Sequence, residues 1–293
     1  MGGLSMNGAI FLSAGVPDPK RGPQYAKTAD TVAITAAVSA LLHVTLGRRL
    51  IVWGGQPAIT PMIWVISEGL GLDYAGWVKL YQSRHFKDEF PEDNQRFGNV
   101  TYTDDIDRDR EKSLRSMRER MFTEHIFSTA VFIGGMGGII DEFDLMQQLQ
   151  PQASVLPIIS TGGAVLDIAK RTATSMPDLT DDLDYVALFH RHLGISVKEQ
   201  RYRHPDDQPA RLEDRLWRPT AYIKKGTQMK EPGLDDRHRD KDGRIQQKRS
   251  DTKNGNLPQP IPGFASKTTL KTMREKTCKT SEGEVRKAAK KRR

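Results

Sequence analysis

At 293 residues the chain is long enough for one domain of ordinary size and an appendage, and short for two full domains. Its 45 basic and 37 acidic residues give a formal charge of +8, yet from Arg201 onward there are 26 basic and 13 acidic residues, against 19 and 24 in residues 1–200, so a mildly acidic body carries a basic tail. One cysteine, Cys278, excludes an internal disulfide and a thiol nucleophile in the body, and the longest apolar or small stretch, 31–42, is too short to span a bilayer, so a cytoplasmic protein is expected.

Ala9-Ile10-Phe11-Leu12 reads as a buried strand opening into Ser13-Ala14-Gly15-Val16-Pro17-Asp18, small and hydroxyl residues suited to one wall of a ligand site. Residues 31–42 are predicted to be a helix with Asp30 as N-cap. Leu50-Ile51-Val52-Trp53 is the second strand. Gly54-Gly55-Gln56-Pro57 turns the chain into an amphipathic helix over 62–68, with Pro61 at its start, where a missing N–H costs nothing. Residues 77–81 form a third strand leading into Gln82-Ser83, the charged segment 84–99 reads as a surface loop or lid, and 100–103 as a short fourth strand.

A helix is predicted over about 108–126. At 100° per residue Leu114, Met117, Met121 and Phe122 share an arc of roughly 140°, and Arg118 falls inside it. An arginine on a packing face needs a carboxylate or a bound anion as partner. The apolar run 131–133 then enters Gly134-Gly135-Met136-Gly137-Gly138 and emerges as Ile139-Ile140-Asp141-Glu142-Phe143 at helical spacing. Strand, tight loop and helix start make a phosphate cradle, because glycines let the backbone approach a ligand and the helix end offers unpaired N–H groups to an anion. The other reading is a turn that only makes room for packing. A third unit of this kind follows, a strand over 154–159, Ser160-Thr161-Gly162-Gly163-Ala164 and a helix over 165–171, before a closing helix over 184–190. His190 and His192 point to different sides of that helix, so neither a metal nor a cofactor is expected.

Strands alternating with helices imply an α/β protein whose parallel sheet is covered by helices on both faces, with the loops at Ser13, Gly54, Gln82, Gly134 and Thr161 sharing one edge. The expected ligand-binding set is Ser13, Gly15, Gly54, Gly55, Gln56, Gln82, Ser83, Arg118, Gly134, Gly135, Met136, Gly137, Gly138, Thr161 and Gly162. Asp141 or Glu142 would accept from donor groups of the ligand.

The strand end at 13–18, the Trp-Gly-Gly-Gln turn at 53–56, the Ser-Met-Arg-Glu-Arg-Met helix at 116–121 and the glycine loop at 132–143 resemble, over about residues 8–195, the SLOG superfamily of the Smf/DprA DNA-processing proteins and the Lonely-guy enzymes. The resemblance implies a Rossmann-like fold that handles nucleotides or nucleotide-derived ligands. Lonely-guy members cleave the N-glycosidic bond of nucleoside monophosphates, using an arginine in Met-His-Glu-Arg-Lys and a glutamate ending Pro-Gly-Gly-x-Gly-Thr-x-x-Glu. Carried over residue by residue, these fall on Arg120 and Asp141, with Glu142 one residue later, while Ile133 replaces the proline and Gly138 the threonine. Periodicity favours Arg118 as the inward arginine and the motif favours Arg120. Other branches, including domains of bacterial defence systems, bind NAD-derived or ADP-ribose-like signals. Three functions are therefore expected in order: sensing of a nucleotide-derived ligand, phosphoribohydrolase activity through Arg120, Asp141 and Glu142, and DNA binding through the tail. A homo-oligomer is also expected.

The domain spans 1–200 and the basic extension 201–293, read as largely disordered or as a small appended module. Asp240-Lys241-Asp242-Gly243-Arg244 imitates the middle of a calcium loop, but His238 and Arg249 stand where its first and twelfth ligands belong. Residues 235–252 resemble a small bacterial protein unit containing Arg-Asp-Lys-Asp-Gly. The basic end, Arg286 to Arg293, is suited to nonspecific contact with nucleic acid.

Overall fold

The computed structural model describes residues 8–90, 94, 96–172, 177–217 and 250–290; the calcium-like stretch and most of the 235–252 segment lie outside them. The chain divides into two compact units, Met1–Pro219 and Thr220–Arg293.

The first unit is built on six parallel strands, β1 (Ala9–Gly15), β2 (Ile51–Trp53), β3 (Val78–Ser83), β4 (Val100–Thr103), β5 (Phe127–Gly134) and β6 (Ser154–Ile158), in the order β4-β3-β2-β1-β5-β6. The chain winds outward from β1 in one direction and, from β5, in the other. The direction of winding therefore reverses between β1 and β5, where Gly15 lies opposite Gly134, and a crevice opens there at the carboxyl ends of the strands.

Helices cover both faces, since a parallel sheet must be buried on both sides. The short α1 (Pro23–Ala26) precedes α2 (Thr31–Thr45), whose N-cap Asp30 accepts from the N–H groups of Val32 and Ala33. Helices α3 (Thr60–Gly69), with Pro61 in its first turn, and α4 (Tyr74–Trp77) follow, then α5 (Arg110–Glu124), capped by Asp109. After the glycine loop come α6 (Gly137–Leu149), α7 (Val165–Arg171), α8 (Pro177–Asp181) and α9 (Tyr185–His192). Strand alternation sorts the core in two. Ile10, Leu12, Ile51 and Trp53 pack with Ile34 and Leu41 of α2 and Phe189 of α9. Phe11, Val52 and Phe132 pack on the other face with Met121 and Phe122 of α5, Phe143 of α6 and Ile168 of α7, and Phe11 meets Phe122 edge-to-face at 4.9 Å.

Beyond Val197 the chain continues as a strap on this unit. Gln200 N donates to Arg215 O, Trp217 N to Lys198 O and Tyr202 N to Gly47 O, and the strap includes the short α10 (Leu212–Arg215). Glu199 on the strap is buried and grips Arg49 with both carboxylate oxygens, at 2.6 and 3.1 Å.

Within the second unit, residues 250–290 form α11 (Leu270–Thr277) and α12 (Glu282–Lys290) around Leu257, Ile261, Leu270, Met273 and Val285. The buried Asn254 amide ties the entering loop to itself, donating to Ile261 O and Phe264 O and accepting from Ile261 N. Cys278, in the left-handed region at φ 52°, ends α11, and Ser281 caps α12 by accepting from Glu284 N. This part of the basic extension is thus ordered; the few apolar residues left in it are spaced to meet in one small cluster.

Candidate functional site

A cleft of about 290 Å³ lies at the carboxyl ends of β1, β2 and β3, against the start of α6. Its floor is Ser13 and Gly15, one side is Gly54, Gly55 and Gln56, and the far side is Gly135, Met136 and Gly138. Gln82, Ser83, Arg118 and Glu142 also line it.

The glycine loop is set by its neighbours. Gly135 N donates to Gly15 O at 2.7 Å, which holds the loop across the end of β1, and α6 begins two residues on, at Gly137. The first N–H groups of a helix have no partner within it, so that of Gly138, which lines the cleft, is available to an acceptor. Gly55 sits at φ 75°, where a Cβ would lie 1.7 Å from Gln82 Nε2, and Gln82 Nε2 donates to Gly55 O at 3.1 Å. Only glycine lets the β2 turn close on Gln82 in this way.

Arg118 is the polar hub. It is 7 % exposed, and its guanidinium donates to Gly138 O at 3.1 Å, to Asp141 Oδ2 at 3.4 Å and to Glu142 Oε1 at 3.4 Å. Ser13 Oγ donates to the other oxygen of Glu142 at 2.6 Å. The network joins the end of β1, the middle of α5 and the first turns of α6.

Arg120, two residues along α5, faces away from the cleft and pairs with Glu124 at 2.7 Å, its side chain half exposed. The periodicity of α5, which keeps Met117, Met121 and Phe122 inward, carries Arg118 inward with them and Arg120 out. Asp141 has a mostly exposed side chain and lines a neighbouring shallow groove with Lys112 and Arg115, so of the two acids Glu142 is the one in the cleft.

Gly134, Gly137, Thr161 and Gly162 do not line the cleft. The third glycine unit serves the second from behind: Thr161 Oγ1 accepts from Gly134 N at 2.9 Å and donates to Ile158 O at 2.6 Å, and Ala164 N donates to Gly135 O at 3.0 Å. Gly162, at φ 65°, has Thr28 O where a Cβ would stand, 1.9 Å away. The resemblance among the three loops is thus one of backbone shape, while their surroundings divide the work.

Residues not anticipated complete the lining. Arg21 and Arg110 bring further positive charge, and Phe86 and Phe90, from the segment after β3, form an apolar wall. Phe90 packs on Tyr102 with ring centroids 5.5 Å apart, and the Arg110 guanidinium lies 5.9 Å from the centre of the Phe86 ring. Phe86 and Phe90, apolar residues within the charged loop, were the available signal. Among the described residues of the lining, three arginines stand against Glu89 and Glu142.

A parallel sheet with reversed winding, a glycine loop and helix start at the reversal, and a cationic cleft above them define a Rossmann-like, nucleotide-related domain. The family model of the SLOG cluster3 family matches residues 24–193, more than half of the chain, and the protein belongs to that family. Comparison with curated proteins and with solved structures gave no match. The family match begins after β1, so Ser13 and Gly15 join the site through the fold alone. Among the described residues no helix is long and apolar enough to cross a membrane.

Proposed function

We propose that the cleft binds a phosphate-bearing, nucleotide-derived ligand, a nucleoside phosphate or an ADP-ribose-like or NAD-derived molecule, and that the protein senses this ligand in a bacterial-type signalling or defence setting without cleaving it. The observation that carries this reading is the Arg118–Glu142–Ser13 network, in which both oxygens of Glu142 are already engaged. A general acid or base needs a free oxygen within reach of the reacting atom, whereas a binding site needs only fixed donors and acceptors. Phosphate oxygens would take the N–H groups at the start of α6 and the guanidinium of Arg118 or Arg21. A base would rest on Phe86 and Phe90, since aromatic faces stack on any base.

A second reading, cleavage of the N-glycosidic bond of a nucleoside monophosphate, is favoured by one observation: Glu142 faces the cleft beside an arginine, as that chemistry requires. It would use Glu142 and Arg118, the cleft-facing pair.

One incubation with AMP, NAD and ADP-ribose separates the two, with thermal shift and release of base followed together. A ligand bound only by the native state raises the unfolding free energy by mass action, about 2.7 kcal/mol at a hundredfold excess over Kd. A shift with the ligand recovered intact supports sensing. Base release that stops in Glu142→Ala refutes it and makes the protein a hydrolase.

A further inference from the structure

At the opposite end of β1 from the cleft, beside Gly8 and Ala9, lies a larger cavity of about 650 Å³. Arg48 and Arg49, from the turn between α2 and β2, and Arg215, from the strap, all reach it, and all three are more than nine-tenths buried. Their shared carboxylate is Glu199. It takes both hydrogen bonds from Arg49, and Arg215 Nη1 stands 3.9 Å from the same Oε1. Among the described residues Arg48 makes no side-chain ion pair: its Nε donates to the Glu199 carbonyl at 2.7 Å and its Nη1 to Val44 O at 2.9 Å. Three buried guanidinium groups thus face one buried carboxylate.

The remaining acid on the cavity wall among the described residues does not correct the imbalance. Glu124 is held by the Tyr81 hydroxyl and by Arg120. Arg48 Nη2 makes no hydrogen bond among the described residues, and Arg215 Nη1 has only the long approach to Glu199. Burial, with Arg201 and Arg49 nearby, pushes Arg48 down to about 10 despite the opposing pull of Glu199. Arg48 and Arg215 both line the cavity wall, where their unpartnered edges can be reached by an anion.

We propose that this cavity is a second anion site, distinct from the nucleotide cleft, which holds a phosphate group between the free edges of Arg48 and Arg215 at the amino end of the sheet. The surplus of two positive charges matches a phosphate dianion, and a guanidinium edge presents paired donors to its oxygens. The phosphate can be the free ion or the monoester end of a small metabolite. A strand of seven residues, roughly 23 Å, separates the two sites.

The test uses the full-length protein and inorganic phosphate, with glycerol 3-phosphate as the monoester arm, in thermal-shift titrations at constant ionic strength. Arg215→Gln removes one edge of the site. Ile126→Glu places a carboxylate at the rim on a side chain that is 70 % exposed, so the fold does not depend on it. Phosphate should stabilise the wild type, and its half-maximal concentration should rise at least tenfold in Arg215→Gln and in Ile126→Glu, while Ile126→Gln keeps the wild-type response. A tighter response to the monoester than to phosphate would identify a metabolite as the occupant, and equal responses the free ion. An unchanged midpoint in Ile126→Glu, no stabilisation of the wild type, or a response lost only in Arg118→Gln would overturn the proposal.

Discussion

Replacing Gly55 by alanine attacks the cleft at a glycine with positive φ that packs directly on Gln82. The new Cβ would lie 1.7 Å from Gln82 Nε2, 2.7 Å from Gln82 Cδ and 3.0 Å from Leu80 Cδ1, on a residue at φ 75°. The Gln82 amide must swing away, giving up its bond to Gly55 O. Holding alanine in the left-handed region costs about 1–2 kcal/mol. The lost hydrogen bond adds roughly 0.5–1.5 kcal/mol, so a destabilisation of about 2–3 kcal/mol is expected. For a domain of this size that lowers Tm by roughly 4–12 °C. Urea denaturation followed by circular dichroism measures the loss, and the displaced amide should also weaken the stabilisation by AMP or ADP-ribose. Gly137→Ala is the internal control: nothing lies within 4 Å of a Cβ there and φ is not positive. Alanine at such a position stabilises by about 0.4–1 kcal/mol through the unfolded chain. Equal denaturation midpoints for Gly55→Ala and the wild type, or equal damage from both substitutions, would refute the reasoning.

Glu199→Ala should cost about 3–5 kcal/mol, because it leaves Arg49 buried without its partner; a loss below about 1 kcal/mol in the same denaturation assay would mean that the strap is not anchored there. The Tyr81 hydroxyl, and after it Arg120, hold the Glu124 carboxyl below the usual carboxylate range. Its stabilising effect is therefore complete above the ordinary value of about 4.3 and is lost as pH falls through the lower folded value. Glu124→Gln should flatten the acid limb of the stability curve below about pH 4, and identical acid limbs would sink the assignment. If the basic tail contacts DNA, duplex binding should fall steeply between about 50 and 200 mM salt and vanish on deletion of residues 218–293, a cut that keeps the strap; binding retained by the shortened chain would place the contact elsewhere.

Much of the domain could be read from residues that satisfy local rules. Asp30 announces α2, the glycine loop announces the turn into α6, and the arc of Leu114, Met117, Met121 and Phe122 points Arg118 inward. The motif comparison selected Arg120 instead because it compares positions along the chain, whereas a helix sorts side chains by angle. What escaped reading depends on pairs distant in sequence. Glu199 meets Arg49 across 150 residues, so a charged segment with fading apolar pattern packs as a strap. Thr161 and Gly162 look like ligand residues until Gly134 and Thr28 are seen against them. Arg21, Phe86, Phe90 and Arg110 stand in turns and loops or at a helix start, where no periodicity marks a face.

The backing of the glycine loop has a consequence for how the protein answers a ligand. Gly134 N is bound to Thr161, Gly135 N to Gly15 O and Gly135 O to Ala164 N before anything enters the cleft. The conformational entropy of these residues, about 1–2 kcal/mol each, is therefore surrendered during folding and not on association. A phosphate bound as proposed would meet a preorganised seat, so its affinity should follow the contacts it makes and association should be fast. If the cleft senses a ligand as proposed, a change that this held loop does not make would have to travel through the other walls, among them the segment that carries Phe86 and Phe90.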